Sequence, residues 1–85
     1  MRIEKKIEIW SFEKILDGDK TFELRLADWE CSEGDILVLR EIDGNRNYTG
    51  RMMEKDVTFV YKTKDVNFFP PEDVEKYGFQ IISFK

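Results

Sequence analysis

A short apolar run, Ile36-Leu37-Val38-Leu39, stands between a Glu33-Gly34-Asp35 turn signal and an Asp43-Gly44-Asn45 turn signal. It is too short for a helix and carries no polar residue, so it reads as a strand buried on both sides, continued by Arg40-Glu41-Ile42. The segments around it read mostly as strands too. Lys20 to Ala27 alternates, with Phe22, Leu24 and Leu26 on one face and Thr21, Glu23, Arg25 and Ala27 on the other. The expectation is that the apolar set is buried and that Thr21, Glu23 and Arg25 line a concave surface.

Ile3, Ile7 and Ile9 among charged residues read as a strand, or a strand running into a helix. Ser11 to Asp17 reads as a short helix, with Phe12, Ile15 and Leu16 on one side, Ile9, Phe12 and Leu16 as core residues and Gly18 as its C′ residue. The hairpin at Asp43-Gly44-Asn45 leads to a return strand near Tyr48, with a bulge near Gly50. Val57 to Lys62 reads as a further strand. Phe69-Pro70-Pro71-Glu72 opens a loop with one helical turn, since Pro71 suits a first helical position. Gly78 then breaks before a closing strand, Phe79 to Phe84. The fold class this predicts is α+β, mainly β: one domain over residues 1–85, a small antiparallel β-barrel with a short N-terminal helix at one end and a short helical turn before the last strand.

Composition excludes whole classes of chemistry. The chain has no histidine and one cysteine, which removes His-dependent triads, an internal disulfide and a cysteine-based zinc site. No apolar run approaches a membrane span and no signal-peptide core opens the chain, so a cytoplasmic location without membrane attachment is expected. The formal charge is −4, the wrong sign for coating duplex DNA through its phosphates. The charge is uneven: residues 1–26 balance six basic against six acidic side chains, whereas Asp28 to Asp43 sets six acids against Arg40 alone. An anionic ligand meets least repulsion in the first third.

The stretch that carries chemical information is Gly18-Asp19-Lys20-Thr21-Phe22-Glu23-Leu24-Arg25. A helix, then Gly-x-Lys-x-x-Glu-x-Arg, then a β-barrel is the signature of ASCH domains in the PUA-like superfamily, and this chain resembles them through Gly18, Lys20, Glu23 and Arg25. The Gly34-Asp35 turn into an apolar strand and the Gly78-Phe79 start of the last strand extend the resemblance over nearly the whole chain. It implies a fold that binds or processes RNA, with the ligand or nucleobase in a cleft beside the motif. Some similar proteins hydrolyse N4-acylated cytidine with the motif Lys and a Thr three residues after it; others are ribonucleases. Here Glu23, not Thr, stands three after Lys20, a departure from that hydrolase pattern, and no motif singles out Glu72 or Glu75 as a further acid.

The residues themselves support a ligand site. Glu23 and Arg25 lie two apart on a strand, point the same way and are within reach of an ion pair, with Thr21 beside them. A carboxylate, a guanidinium and a hydroxyl together suit a nucleobase edge or a phosphate. Lys20, at the strand start, can lean towards Glu23. Trp10, Trp29 and Tyr77 are candidates to stack a base, Trp29 foremost because it follows the motif strand among polar neighbours. Cys31, flanked by Glu30 and Glu33, is a poor nucleophile. Asp43-Gly44-Asn45 lacks calcium-loop spacing, and neither metal nor cofactor is expected.

The expected function is RNA or nucleotide binding through Lys20, Thr21, Glu23, Arg25 and Trp29. The alternatives are a hydrolase of RNA or a modified nucleoside using Lys20, Glu23 and Thr21, and a protein-interaction module. On the binding reading, Arg25→Ala weakens affinity for single-stranded RNA about tenfold and leaves the melting temperature almost unchanged.

Overall fold

The computed structural model describes residues 1–76 and 78–85. Its elements in chain order are β1 (Arg2–Glu8), α1 (Ile9–Leu16), β2 (Phe22–Leu26), β3 (Ile36–Ile42), β4 (Tyr48–Lys62) and β5 (Phe79–Phe84), with 3-10 turns at Thr63–Asp65 and Pro71–Asp73. The apolar run forms β3, and Leu37, Val38 and Leu39 are buried. β3 is paired on both edges, parallel to β1 and antiparallel to β4. The successive residues Leu37, Val38 and Leu39 are buried on both its faces, which is why its sequence shows no alternation. The strand order is β1-β3-β4-β5-β2.

Two features depart from an antiparallel barrel. The β1–β3 pairing is parallel: α1 and β2 separate these strands in sequence, so the chain returns by a crossover, not a hairpin. The sheet is also open. β1 and β2 are its two edges, and among the described residues no ladder joins them.

β4 is one strand of 15 residues, where the sequence suggests two. Its first half, to Asp56, pairs with β3, and from Val57 it pairs with β5. The register slips between Arg40 and Ile42, opposite the Tyr48–Met52 segment, and Gly50 there has φ 101, so the bulge falls where the glycine suggests. Among the described residues, the helical turn before the last strand is the 3-10 turn that begins at Pro71.

Helix α1 follows β1 directly and ends as expected. Gly18 has φ 84 and its N–H donates to the Ile15 carbonyl at 3.0 Å, a left-handed C′ closure. Its buried side is Ser11, Phe12 and Ile15, while Ile9 and Leu16 are exposed. The buried stripe is centred between Phe12 and Ile15, so Phe12 and Ile15 face inward as expected while Ile9 and Leu16 fall on the flank beyond Phe12. Phe12 and Ile15 join Ile7, Leu37, Leu39, Val57, Ile82 and Phe84 in the core.

The largest correction concerns β2. Phe22, Leu24 and Leu26 are exposed, and Glu23 is 4% exposed. Alternation separates the two sets but does not say which one faces in. Here the inward side of the strand meets Ser11 of α1 and two cations instead of apolar side chains. The outward apolar set lies beside the exposed Phe79 and Ile81 of β5. Among the described residues no helix is long and apolar enough to cross a membrane.

Candidate functional site

The closure of α1 places the motif. The N–H groups of Asp19 and Lys20 both donate to the Lys14 carbonyl at 3.0 Å. This folds the chain back over the helix end and starts β2 with Lys20 beside Glu23. Lys20 Nζ donates to Glu23 Oε1 at 2.5 Å, and Arg25 Nε donates to Oε2 at 2.7 Å. The Ser11 hydroxyl approaches Oε1 at 3.5 Å. A buried carboxylate is tolerated because both its oxygens have cationic donors; stripping such a group of its partners costs about 3–5 kcal/mol. Arg25 also reaches across the open side of the sheet: its Nη2 donates to the Lys6 carbonyl of β1 at 2.5 Å.

A cleft of about 530 Å³ opens at this gap, walled by the end of β1, the first turn of α1, β2 and the β3–β4 turn. Its charged lining is Lys6, Lys20, Arg25 and Arg46 against Glu8 and Glu23, so the local balance is positive in an acidic protein. Arg46 enters from a turn pinned by Asp43, whose Oδ1 accepts from the N–H groups of Asn45 (2.8 Å) and Asn47 (2.9 Å). Arg46 adopts φ 65, a left-handed conformation that non-glycine residues seldom take. Among the described residues its guanidinium has no hydrogen-bond, ion-pair or ring partner. Trp10, at the start of α1, also lines the cleft; it is largely exposed and its indole N–H donates to Glu8 at 3.2 Å.

The structure thus gathers Lys20, Glu23 and Arg25, and it separates the other two candidates from them. Thr21 is exposed and does not line the cleft; its carbonyl accepts from the Phe84 N–H at 3.2 Å. Trp29 packs against the core with Lys5 Nζ 4.1 Å above its ring, and its carbonyl accepts from Gln80 Nε2 at 3.2 Å. It lines an adjoining hollow of about 450 Å³ that shares Leu24 and Arg25 with the cleft. Tyr77 lies outside the described residues. Sequence reasoning missed Ser11 and Arg46. Ser11 lies one turn before Ile15 on the helix but belongs to no motif, and Arg46 follows a recognised turn but belongs to none either.

Cys31 is a core residue, 4% exposed. Burial first, and Asp35 second, push its thiol up from the ordinary value, so burial, more than its sequence neighbours, keeps it inert. Glu72 sits in the Pro71–Asp73 turn, and Glu75 lines a different hollow.

The family model described as Domain of unknown function (DUF3850) matches residues 4–72, a span that includes every residue lining the cleft. No curated protein matches the chain.

Proposed function

The chain belongs to the DUF3850 family, a domain of unknown function, and from that premise we propose that it is a cytoplasmic RNA- or nucleotide-binding domain of the ASCH, PUA-like kind. The observation that carries this reading is the Lys20–Glu23–Arg25 cluster at the open edge of the sheet. Glu23 acts here as a clamp, not as a reader of the ligand: it holds two cations in fixed positions at the floor of the cleft. Lys20 donates one of its three N–H bonds to Glu23 and Arg25 retains its Nη1, so both keep donors for a phosphate or a base carbonyl. Arg46 adds an unpaired guanidinium, and the exposed Trp10 offers an indole face to a base. In the proposed architecture the β1–β2 gap is the ligand entrance of a PUA-like barrel, bridged by the Arg25 contact to Lys6.

Fluorescence anisotropy with a labelled single strand of RNA of about ten nucleotides tests this. Binding is expected at moderate salt, and Lys20→Ala weakens it about tenfold, the loss of one charge-assisted hydrogen bond. Absence of binding, or equal binding by Lys20→Ala, overturns the reading. The same samples incubated with N4-acetylcytidine distinguish the hydrolase. Thr21 faces away, and Ser11 is the hydroxyl side chain in the cleft lining; acetate release that disappears in Lys20→Ala would replace binding by catalysis.

A further inference from the structure

The outer face of β2, β5 and β4 carries a set of exposed apolar side chains broken only by Ser83, which lies between Phe22 and Phe59. β2 contributes Phe22, Leu24 and Leu26, and β5 contributes Phe79 and Ile81. β4 adds Phe59 and Tyr61, which meet edge to face at 6.2 Å. These seven are between 39% and 57% exposed. The ladder aligns them in rows, since Leu24 pairs with Ile81 and Ile81 with Tyr61. Large apolar side chains offer about 150–250 Å² each, so half-exposed they present about 600 Å² together. The largest apolar patch on a monomer is about 300–600 Å². At one end Leu26 and Phe79 run on into a hollow of about 740 Å³ walled by Val66, Phe69 and Val74, which enlarges the area further.

We propose that this face is the interface of a homodimer, packed sheet against sheet on a two-fold axis that runs along β5. Three observations single out a second copy of the chain. Two copies of the patch bury about 1,200 Å², above the roughly 1,000 Å² a specific interface needs. None of the seven side chains is charged, and charge depletion with aromatic enrichment marks interface cores; the charged Asp73, Glu75 and Lys76 lie at the border, in the adjoining hollow. The face is also self-complementary. An axis along β5 lays Leu24 of one copy over Tyr61 of the other and Phe22 over Phe59, since each of these pairs flanks one β5 residue, Ile81 and Ser83. Ile81 then meets its own counterpart. Phe22 and Leu24 also line the cleft, so pairing covers that rim and leaves the Lys20, Glu23 and Arg25 side of β2 facing inward.

Sedimentation velocity over a concentration series tests the proposal with Ile81→Glu and Ile81→Lys as variants. The wild type is expected to sediment as a dimer at micromolar concentration, each variant alone as a folded monomer, and an equal mixture of the two again as a dimer. Far-UV circular dichroism checks the fold; should either Ile81 variant not fold, Leu24→Glu, on the same face of the edge strand, takes its place. A wild type that stays monomeric at about 100 µM overturns the proposal, as does a dimer that survives both substitutions. RNA binding that falls with Ile81→Glu in a wild type that never dimerises would assign the face to base stacking and overturn it equally.

Discussion

The guanidinium of Arg25 donates to the backbone carbonyl of Lys6 across the gap between the two edge strands. The same side chain donates to Glu23 two residues earlier. Arg25 is therefore both a wall of the cleft and a tie between β1 and β2. With both contacts in place, binding and stability are expected to fall together for Arg25, in place of the clean separation expected from sequence. Arg25→Ala should lower stability by about 1–3 kcal/mol, because it leaves the Lys6 carbonyl without this donor and Glu23 with one cation. In a domain of this size that is about 5–15 °C in melting temperature. Arg25→Lys, which keeps the charge but replaces the guanidinium fork that spans Glu23 and Lys6 by a compact ammonium, should recover part of the RNA affinity and little of the stability. An unchanged melting temperature for Arg25→Ala would show that the tie contributes nothing.

Much of this was legible in the sequence, and what was not has physical reasons. β3 was visible because a strand buried on both faces needs apolar side chains on both. Gly18 and Pro71 marked their turns because their backbones take conformations or positions that few residues accept. The motif spacing brought Lys20, Glu23 and Arg25 together, since a strand and the turn before it fix those distances locally. The direction in which β2 faces was not legible. The alternation of Phe22, Leu24 and Leu26 with charged residues is the same whichever side is buried. The choice was made by partners far away in sequence or outside any motif, Ser11 in α1 and β5 at the other end of the chain. The parallel β1–β3 pairing was hidden for a similar reason, being a contact between segments more than 30 residues apart.

Cys31 should be unreactive in the native protein. Its thiol is buried and its thiolate further disfavoured by Asp35, so a disulfide reagent at neutral pH should modify it only as fast as the chain opens. The measurement is the rate of colour release from an aromatic disulfide in buffer and in denaturant. Rapid modification in buffer would mean that the region around Cys31 opens far more readily than the rest of the core.

Acid should destabilise the fold through Glu41. This residue is 2% exposed, and it accepts hydrogen bonds from Thr49 Oγ1 at 2.6 Å and from Arg51 Nε at 2.9 Å. The hydrogen bonds from Arg51 hold its carboxyl below the usual carboxylate range, against a burial that raises it. Because the folded value lies below the unfolded one, the stabilisation is fully present above about pH 4.5. It is lost as pH falls through the folded value. Thermal melts should be flat from about pH 6 to 8 and fall below about pH 4. Glu41→Gln should melt lower at neutral pH and show a shallower acid limb. The limb should not vanish, since Asp35 and Glu54 are depressed as well. An identical acid limb in Glu41→Gln would place the acid sensitivity elsewhere.

Two glycines with left-handed backbones should respond differently to alanine. Gly18 has φ 84, and a Cβ there would meet nothing within 4 Å, so Gly18→Ala carries only the conformational cost of about 1 kcal/mol. Gly78 has φ 63, and a Cβ there would lie 2.7 Å from Thr63 Oγ1 and 3.1 Å from the Lys64 nitrogen. Thr63 Oγ1 cannot withdraw freely, because it accepts the Phe79 N–H at 2.6 Å where β5 begins. Gly78→Ala must therefore strain the backbone or break that bond, and it should cost about 2–4 kcal/mol in urea unfolding. Thr63→Ala removes the clash and the hydrogen bond together. The double variant should accordingly be more stable than the sum of the two single losses implies. Additive losses would show that the segment around Gly78 moves away from Thr63 without resistance, and that the start of β5 is not held by this contact.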